Sequence, residues 1–137
     1  MRAITLWQPW ASAVALGLKR VETRSWKTPY RGPLAIHAAK CWRPIQREKF
    51  KATCIPIGNG LPFGSIVATC TMVACVAVEW CNPTEEERLW GDFSDGRYAF
   101  LLENIRPLKR PLPIERGSQT FFTVPDKLLE SHRRRTP

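Results

Sequence analysis

The sequence predicts an α+β domain, barrel-like, of about six strands, with a buried helix near the start and short peripheral helices. Three observations carry this expectation. Trp10 to Leu18 reads WASAVALGL, with Ser12 as its one polar side chain, and a helix apolar on every side is a buried helix. From Ile66 to Val78, residues Ile66, Ala68, Cys70, Met72, Ala74, Val76 and Val78 form one unbroken apolar face. At ~3.3 Å per residue such a strand runs to roughly 40 Å, too long to stay flat in a small domain, so it is expected to bend as barrel strands do. Finally, strands and helices alternate too seldom for a doubly wound sheet.

In chain order, Met1 to Trp7 alternates as a strand, with Ile4 and Leu6 on one face. Gln8-Pro9 opens the helix, because proline's missing N–H costs nothing in the first turn. Gly17 supplies the left-handed residue that ends it. Arg20 to Arg24 alternates charged and uncharged, a strand pattern that continues to about Trp26. Lys27 to Pro33 is turn-rich. Leu34 to Ala39 reads as a strand with Leu34, Ile36 and Ala38 toward the core, and Ala35, His37 and Ala39 opposite. Pro44 to Ala52 has helical spacing behind a first-turn proline, and residues 55–64, IPIGNGLPFG, form a loop.

After the long strand, Thr84-Glu85-Glu86-Glu87 matches the capping box and starts a short helix toward Trp90. Its three carboxylates are explained by capping and by the helix dipole. Gly91 to Gly96 is a loop. Arg97 to Leu102 is apolar on both faces and therefore central. Pro107, Pro111 and Pro113 exclude a regular central strand and predict an irregular extended edge. Thr120 to Val124 is expected to close the sheet, and Pro125 to Glu130 to begin a terminal helix. No repeat or linker divides the chain, so residues 1–130 form one domain, and the basic tail 131–137 is expected to be disordered.

The chain has 137 residues, a length that suits one domain with a real core. No apolar run reaches the ~18 residues of a membrane span. With no signal-peptide core near Trp7, Gln8 and Pro9, a cytoplasmic location is expected. The five cysteines include no C-x-x-C pair, and neither His37 nor His132 has ligand spacing to a cysteine pair. Neither a metal site nor a cofactor is expected, and Cys70 and Cys75 are read as buried free thiols. The net charge of +9 points to a polyanionic partner, nucleic acid first. Part of that excess lies in Arg133, Arg134 and Arg135, but the domain without them is still basic.

The stretch from Gly17 to Arg24 concentrates the chemistry. Arg20, Glu22 and Arg24 share one strand face beside a buried helix, and charges there need a polar cleft and mutual pairing. Lys19 can meet phosphate as a mobile point charge and Arg24 as a fork. Glu22 can accept from an amine-bearing base edge, orient Lys19, or act as a base if burial raises its pKa. Trp26, two residues past Arg24, could stack on a base or join Trp7 and Trp10, which read as core. Small residues around His37 leave space for a cleft wall. The site residues are therefore Gly17, Lys19, Glu22, Arg24, Trp26 and His37, with Lys19 and Glu22 as the catalytic pair if the cleft does chemistry.

The pattern G-x-K-x-x-E-x-R directly after a short apolar helix resembles the ASCH family, a branch of the PUA-like barrels. Ile4 to Trp10 resembles its first strand and Q-P-[WY] helix start. Gly32 to Ala39 resembles its third element, and Gly117 to Phe122 its closing strand. The likeness covers most of residues 1–125. It implies a PUA-like β-barrel whose motif faces a cleft, and a role in RNA binding and processing. One branch of the family resembles an amidohydrolase for N4-acetylcytidine that uses a lysine, a threonine and a glutamate. Lys19 matches the lysine, but Glu22 stands where the threonine would be, and Glu85, Glu86 and Glu87 match the third group only loosely. Another member class cleaves RNA, with no catalytic residues that can be placed on this chain.

Three readings follow. In the first, the domain binds single-stranded RNA or a nucleotide, with cations on the backbone, Glu22 on a base edge and Trp26 stacking. In the second, it hydrolyses RNA or a modified nucleoside through Lys19 and Glu22. The third is a barrel that binds a small molecule or peptide, which the basic charge opposes only weakly. No membrane partner is expected, and the sequence leaves the oligomeric state open.

Overall fold

A computed structural model describes residues 1–56 and 60–133. Residues 57–59 of the expected loop and 134–137 of the expected tail lie outside the described residues. The elements run β1 (Arg2–Leu6), α1 (Trp10–Ala15), β2 (Val21–Arg24), β3 (Gly32–Ala38), α2 (Pro44–Thr53) and β4 (Ser65–Ala77). A 3-10 turn, Val78–Trp80, leads to α3 (Glu85–Arg88), β5 (Tyr98–Pro113), β6 (Phe122–Thr123) and α4 (Asp126–Glu130).

The six strands form one sheet in the order β2-β5-β4-β3-β1-β6. β1 and β3 are parallel, and the other pairs are antiparallel. The expected closed barrel is corrected here. Among the described residues β6 pairs only with β1, through Arg2–Thr123 and Ala3–Phe122, so the expected closing strand is reduced to Phe122–Thr123 and extends the sheet without closing it. Among the same residues β2 pairs only with β5, and the two edge strands stay unpaired with each other. At four and two residues, they are too short to carry a ladder across the gap. Side chains bridge it instead. The Arg24 guanidinium donates from Nη2 to the Thr5 carbonyl at 2.6 Å, and the Trp26 ring meets the Phe121 ring edge-on at 5.3 Å.

Strand β4 fulfils the bending expectation without closure. Its register against β5 shifts between Ile66 and Ala68, between Thr69 and Thr71, and between Met72 and Ala74. Such bulges bend a strand and increase its twist. β5 continues to Pro113, but irregularly. β2 covers it only from Tyr98 to Leu101, so its three prolines fall where β4 is its single strand neighbour. Asn104 takes a left-handed φ of 51°.

Helix α1 caps the core formed by Ile4, Leu6, Leu34, Ile36, Met72 and Phe100, and Ala11, Ala13 and Val14 are fully buried. The all-round apolar reading fails only past the helix end, where Leu16 and Leu18 are 45% and 44% exposed. Gly17, at φ 76°, ends the helix as predicted. Leu18 N–H returns to the Ala13 carbonyl and Gly17 N–H to that of Val14, both at 2.9 Å, which is the Schellman pattern. Gln8 is fully buried and acts as a side-chain cap, its Oε1 accepting from Ser12 N–H at 2.9 Å. Burial pushes the Cys70 thiol up to about 12, while Cys75 is only half-buried.

Candidate functional site

The Gly17 turn sends Lys19 inward, and its side chain is 1% exposed. Nζ donates to the Val21 carbonyl at 2.6 Å and the Trp90 carbonyl at 2.7 Å, and lies 3.5 Å from Glu22 Oε1. Two of the ammonium's three N–H groups are thus bonded to carbonyls, with Glu22 at ion-pair distance. Arg24 is similarly engaged. Its Nη2 donates to Glu22 Oε2 at 3.0 Å as well as to Thr5, and its Nη1 reaches the Gln119 carbonyl at 3.5 Å. Glu22 Oε1 also accepts from Thr23 N–H at 3.0 Å. Burial alone would raise the Glu22 pKa. Lys19 and Arg24 outweigh it, helped by the hydrogen bonds from Arg24 and Thr23, and hold it below the ordinary carboxylate value.

This trio borders a cleft of about 740 Å³. Glu22, Arg24 and His37 share its lining with Thr5, Trp7, Trp10, Arg97, Ser118 and Gln119, and Lys40 and Lys49 add cationic side chains to it. Lys19 lies behind Glu22, outside the lining, and Gly17 acts through its turn. Trp26 is outside the cleft too, packed edge-on against Phe100 at 5.1 Å and Phe121 at 5.3 Å.

His37 is 1% exposed and fixed at both ring nitrogens. The Ile114 carbonyl lies 2.6 Å from Nε2, and a carbonyl can only accept, so Nε2 carries the proton. In the neutral ring Nδ1 then accepts from the Thr5 hydroxyl, 3.1 Å away. Burial lowers the His37 pKa, against the Ile114 hydrogen bond that raises it. Ser118 N–H donates to Thr5 Oγ1 at 3.2 Å. Gly117 makes this approach possible, since a Cβ there would sit 1.9 Å from Thr5 Oγ1 and 2.7 Å from His37 Nδ1.

A family model of the ASCH domain matches residues 4–111. The chain belongs to the ASCH domain family. The family carries a general association with nucleic-acid binding, in keeping with the net charge of +9. This ASCH domain is similar to activating signal cointegrator 1 of Homo sapiens, 29% identical over 133 residues and 91% of this chain. The Mus musculus protein of the same name is also 29% identical, over 134 residues. The chain spans 22% of the length of each of these relatives. Among solved structures it resembles ASCH from Zymomonas mobilis, with TM-score 0.56, 19% identity, and coverage of 93% of this chain and 89% of that one. A mutant of that protein superposes with TM-score 0.57 at 18% identity, covering 95% of this chain and 94% of that one. Likeness at this level speaks for the fold alone.

Sequence reasoning missed several residues of the ASCH cleft. Trp7, read as core, is 43% exposed and lines it. A tryptophan one residue past the strand end carries little signal of where it points. Thr5 and Ser118 join the site only through the β1–β3 pairing and the return of the chain after β5. Glu87, read as a capping group, is the clearest miss. It is buried, and Oε1 accepts from Arg20 N–H at 2.9 Å and Val21 N–H at 2.7 Å, with Oε2 3.1 Å from Arg20 N. Its anchoring of the motif from 66 residues away left no mark on local spacing, whereas Thr84 does cap α3 as read.

Proposed function

We propose that this ASCH domain binds single-stranded RNA, one nucleotide of which occupies the Glu22 cleft. The observation that carries the reading is an ionised carboxylate recessed in a cleft that also presents Lys40, Lys49 and Arg97. Glu22 can accept only, so it suits an amine edge such as cytosine N4. The lysines suit the phosphates, as do the Arg97 N–H groups left over from its bonds to Thr23 and Asp92, and the exposed Trp7 offers an indole for stacking. Lys19 serves by keeping Glu22 charged and in place, and Arg24, which also lines the cleft, holds Glu22 through Nη2 while bonding the Thr5 carbonyl.

The test is fluorescence anisotropy with labelled single-stranded RNA across a salt series. Each phosphate contact contributes ~0.7 to the log–log slope on a single strand. Arg97→Gln and Lys40→Gln are expected to lower that slope, and Glu22→Gln to change base preference more than slope. The 133–137 deletion separates the contribution of the tail. An affinity independent of salt, or equal effects of Glu22→Gln and Lys40→Gln, would sink the reading.

A second reading, hydrolysis of RNA or of a modified nucleoside, is favoured by one observation. Thr5 Oγ1 stands 3.1 Å from the acceptor nitrogen of His37, a nucleophile–base arrangement in the same cleft. The Lys19–Glu22 version is weaker, because a carboxylate held below its ordinary pKa is a poor general base. Turnover of labelled RNA or N4-acetylcytidine that is lost in both Thr5→Val and His37→Gln, with thermal stability kept, would establish the second reading. Absence of turnover with RNA bound would leave the first.

A further inference from the structure

Beside the Glu22 cleft lies a second cavity of about 470 Å³, lined by Lys40, Trp42, Phe50, Gly60, Leu61 and Phe63. Its aromatic side chains come from three places. Trp42 precedes α2, Phe50 lies on α2, and Phe63 leads into β4. Trp42 meets Phe63 edge-on, with centroids 5.4 Å apart and planes at 79°, and meets Phe50 at 6.1 Å and 69°. In an edge-to-face pair the ring that presents its edge keeps both faces clear of its partner, and Phe63 is 38% exposed. These rings belong to none of the groups used in the Glu22 cleft.

Lys40 lines both cavities. Its stem lies across Gly64, where a Cβ would come within 2.9 Å of Lys40 Cγ and Cε. Gly64 has φ 58°, so glycine is favoured there on two counts. The ammonium lies 3.4 Å from the exposed carboxylate of Glu115, which also lines the cleft. A cation is thus held at the boundary between a cleft with an acceptor floor and a cavity walled by aromatic rings.

We propose that the aromatic cavity takes the base of the nucleotide next to the one in the Glu22 cleft, with the linking phosphate at Lys40. This rests on the single-stranded RNA reading and extends it to a second subsite. Flat rings stack on bases whatever their sequence, and a phosphate between two stacked nucleosides falls where a lysine is needed. An apolar side chain of a protein partner would fill the same walls but make no use of the Lys40 ammonium beyond its solvent-open pair with Glu115. The net charge of +9 also favours the anion.

Calorimetry separates the subsites. The ligands are cytidine 5′-monophosphate, the dinucleotide CpC, and CpC with an abasic ribose at one end or the other. CpC is expected to bind roughly tenfold more tightly than the mononucleotide, the gain typical of one stacked base. One of the two abasic forms should lose that gain. In Phe63→Leu and Trp42→Leu the ratio of CpC to mononucleotide affinity should fall to about that of the abasic form. Phe63 is partly exposed, so its variant stays informative if Trp42→Leu unfolds. Binding of CpC with the full ratio kept in folded Phe63→Leu would overturn the second subsite and leave the cleft reading intact. A wild-type protein that binds neither ligand would overturn the cleft reading itself. Binding of N-acetyl-tryptophan amide that Phe63→Leu abolishes and that leaves CpC bound would overturn the proposal in favour of a protein partner.

Discussion

Lys19 and Glu22 lie 3.5 Å apart, yet the ammonium's closest partners are the carbonyls of Val21 and Trp90, at 2.6 and 2.7 Å. The motif lysine is therefore a strut that joins the end of α1, the start of β2 and the segment after α3. Removing it leaves two carbonyls without their donor and a carboxylate with one cation fewer. Breaking a buried pair from one side costs ~3–5 kcal/mol. Lys19→Met should lose about 3 kcal/mol in urea unfolding, on that scale, while leaving the salt slope of RNA binding where it was. A loss below ~1 kcal/mol, the range of solvent-exposed pairs, would show that water replaces those contacts easily.

Glu22 makes stability depend on pH. Burial opposes its ionisation, but Lys19 and Arg24 win, so its folded pKa is below the ordinary 4.5. Below 4.5 the unfolded chain takes up this proton first, which favours unfolding. The contribution is therefore fully present above 4.5 and lost as pH falls through the lower, folded value. The difference in unfolding free energy between wild type and Glu22→Gln should be constant from pH 7 to pH 5 and shrink toward pH 3. A difference that does not change with pH would place Glu22 outside the ion network.

His37 adds an earlier step of the same sign. Its folded pKa is lowered from the ordinary 6.5 by burial, which the Ile114 bond offsets only in part. Between those values the unfolded chain holds the extra proton, so this stability is present above 6.5 and lost as pH falls toward the folded value. An NMR titration should find the His37 ring neutral at pH 7, with its midpoint below 6.5. A midpoint above 6.5 would reassign the proton at Nε2 and the Thr5 bond with it.

The parts of the fold written locally were legible. Ile66 to Val78 showed its period, Gly17 its helix end, and Thr84 its cap, because each depends on neighbours in the chain. Glu22, Arg24 and His37 came together as polar residues that the flanking apolar pattern could not accommodate elsewhere. Closure was not legible. Whether Phe122 and Thr123 meet β2 depends on how far two short edges reach across the Arg24 and Trp26 side chains, which no period records. Trp7, read as core, lines the cleft, and Trp26, open to either reading, packs against the core, for a related reason. Alternation gives the face of a strand residue, but both tryptophans stand just past strand ends, where the chain turns.

Gly117 tests the packing behind His37. A methyl group there would land 1.9 Å from Thr5 Oγ1 and 2.9 Å from its Cβ, and neither atom belongs to a flexible side-chain end. Overpacking of this kind costs ~1–3 kcal/mol. Gly117→Ala should fall in that range and displace the 117–119 segment, so that the His37 ring signals shift. Thr5→Ala should recover part of the loss in the double variant, because the closest clash is with the hydroxyl. Independent, additive losses would place the strain elsewhere.

Glu87 offers the sharpest separation of motif from scaffold. The motif backbone at Arg20 and Val21 directs two N–H groups at this one carboxylate, across contacts of 2.7 to 3.1 Å. Neither residue contributes a side chain to the cleft lining. Glu87→Gln keeps the shape and one acceptor oxygen, but its amide brings two N–H groups toward backbone donors. Hydrogen bonds to a charged group contribute ~1.5–3 kcal/mol, and a loss of about 2 kcal/mol is expected. The chain between α1 and β2 should then loosen, and with it the Lys19 contact to Val21 and the placement of Glu22. RNA affinity should fall even though Glu87 is remote from the ligand, and Glu85→Gln and Glu86→Gln, on exposed first-turn positions of the same short helix, should cost less than ~1 kcal/mol and leave affinity unchanged. Hydrogen exchange gives the direct readout, with faster exchange at the Arg20 and Val21 amides in Glu87→Gln alone. If those amides stay protected while affinity drops, Glu87 acts on the ligand directly and the anchoring role assigned to it fails.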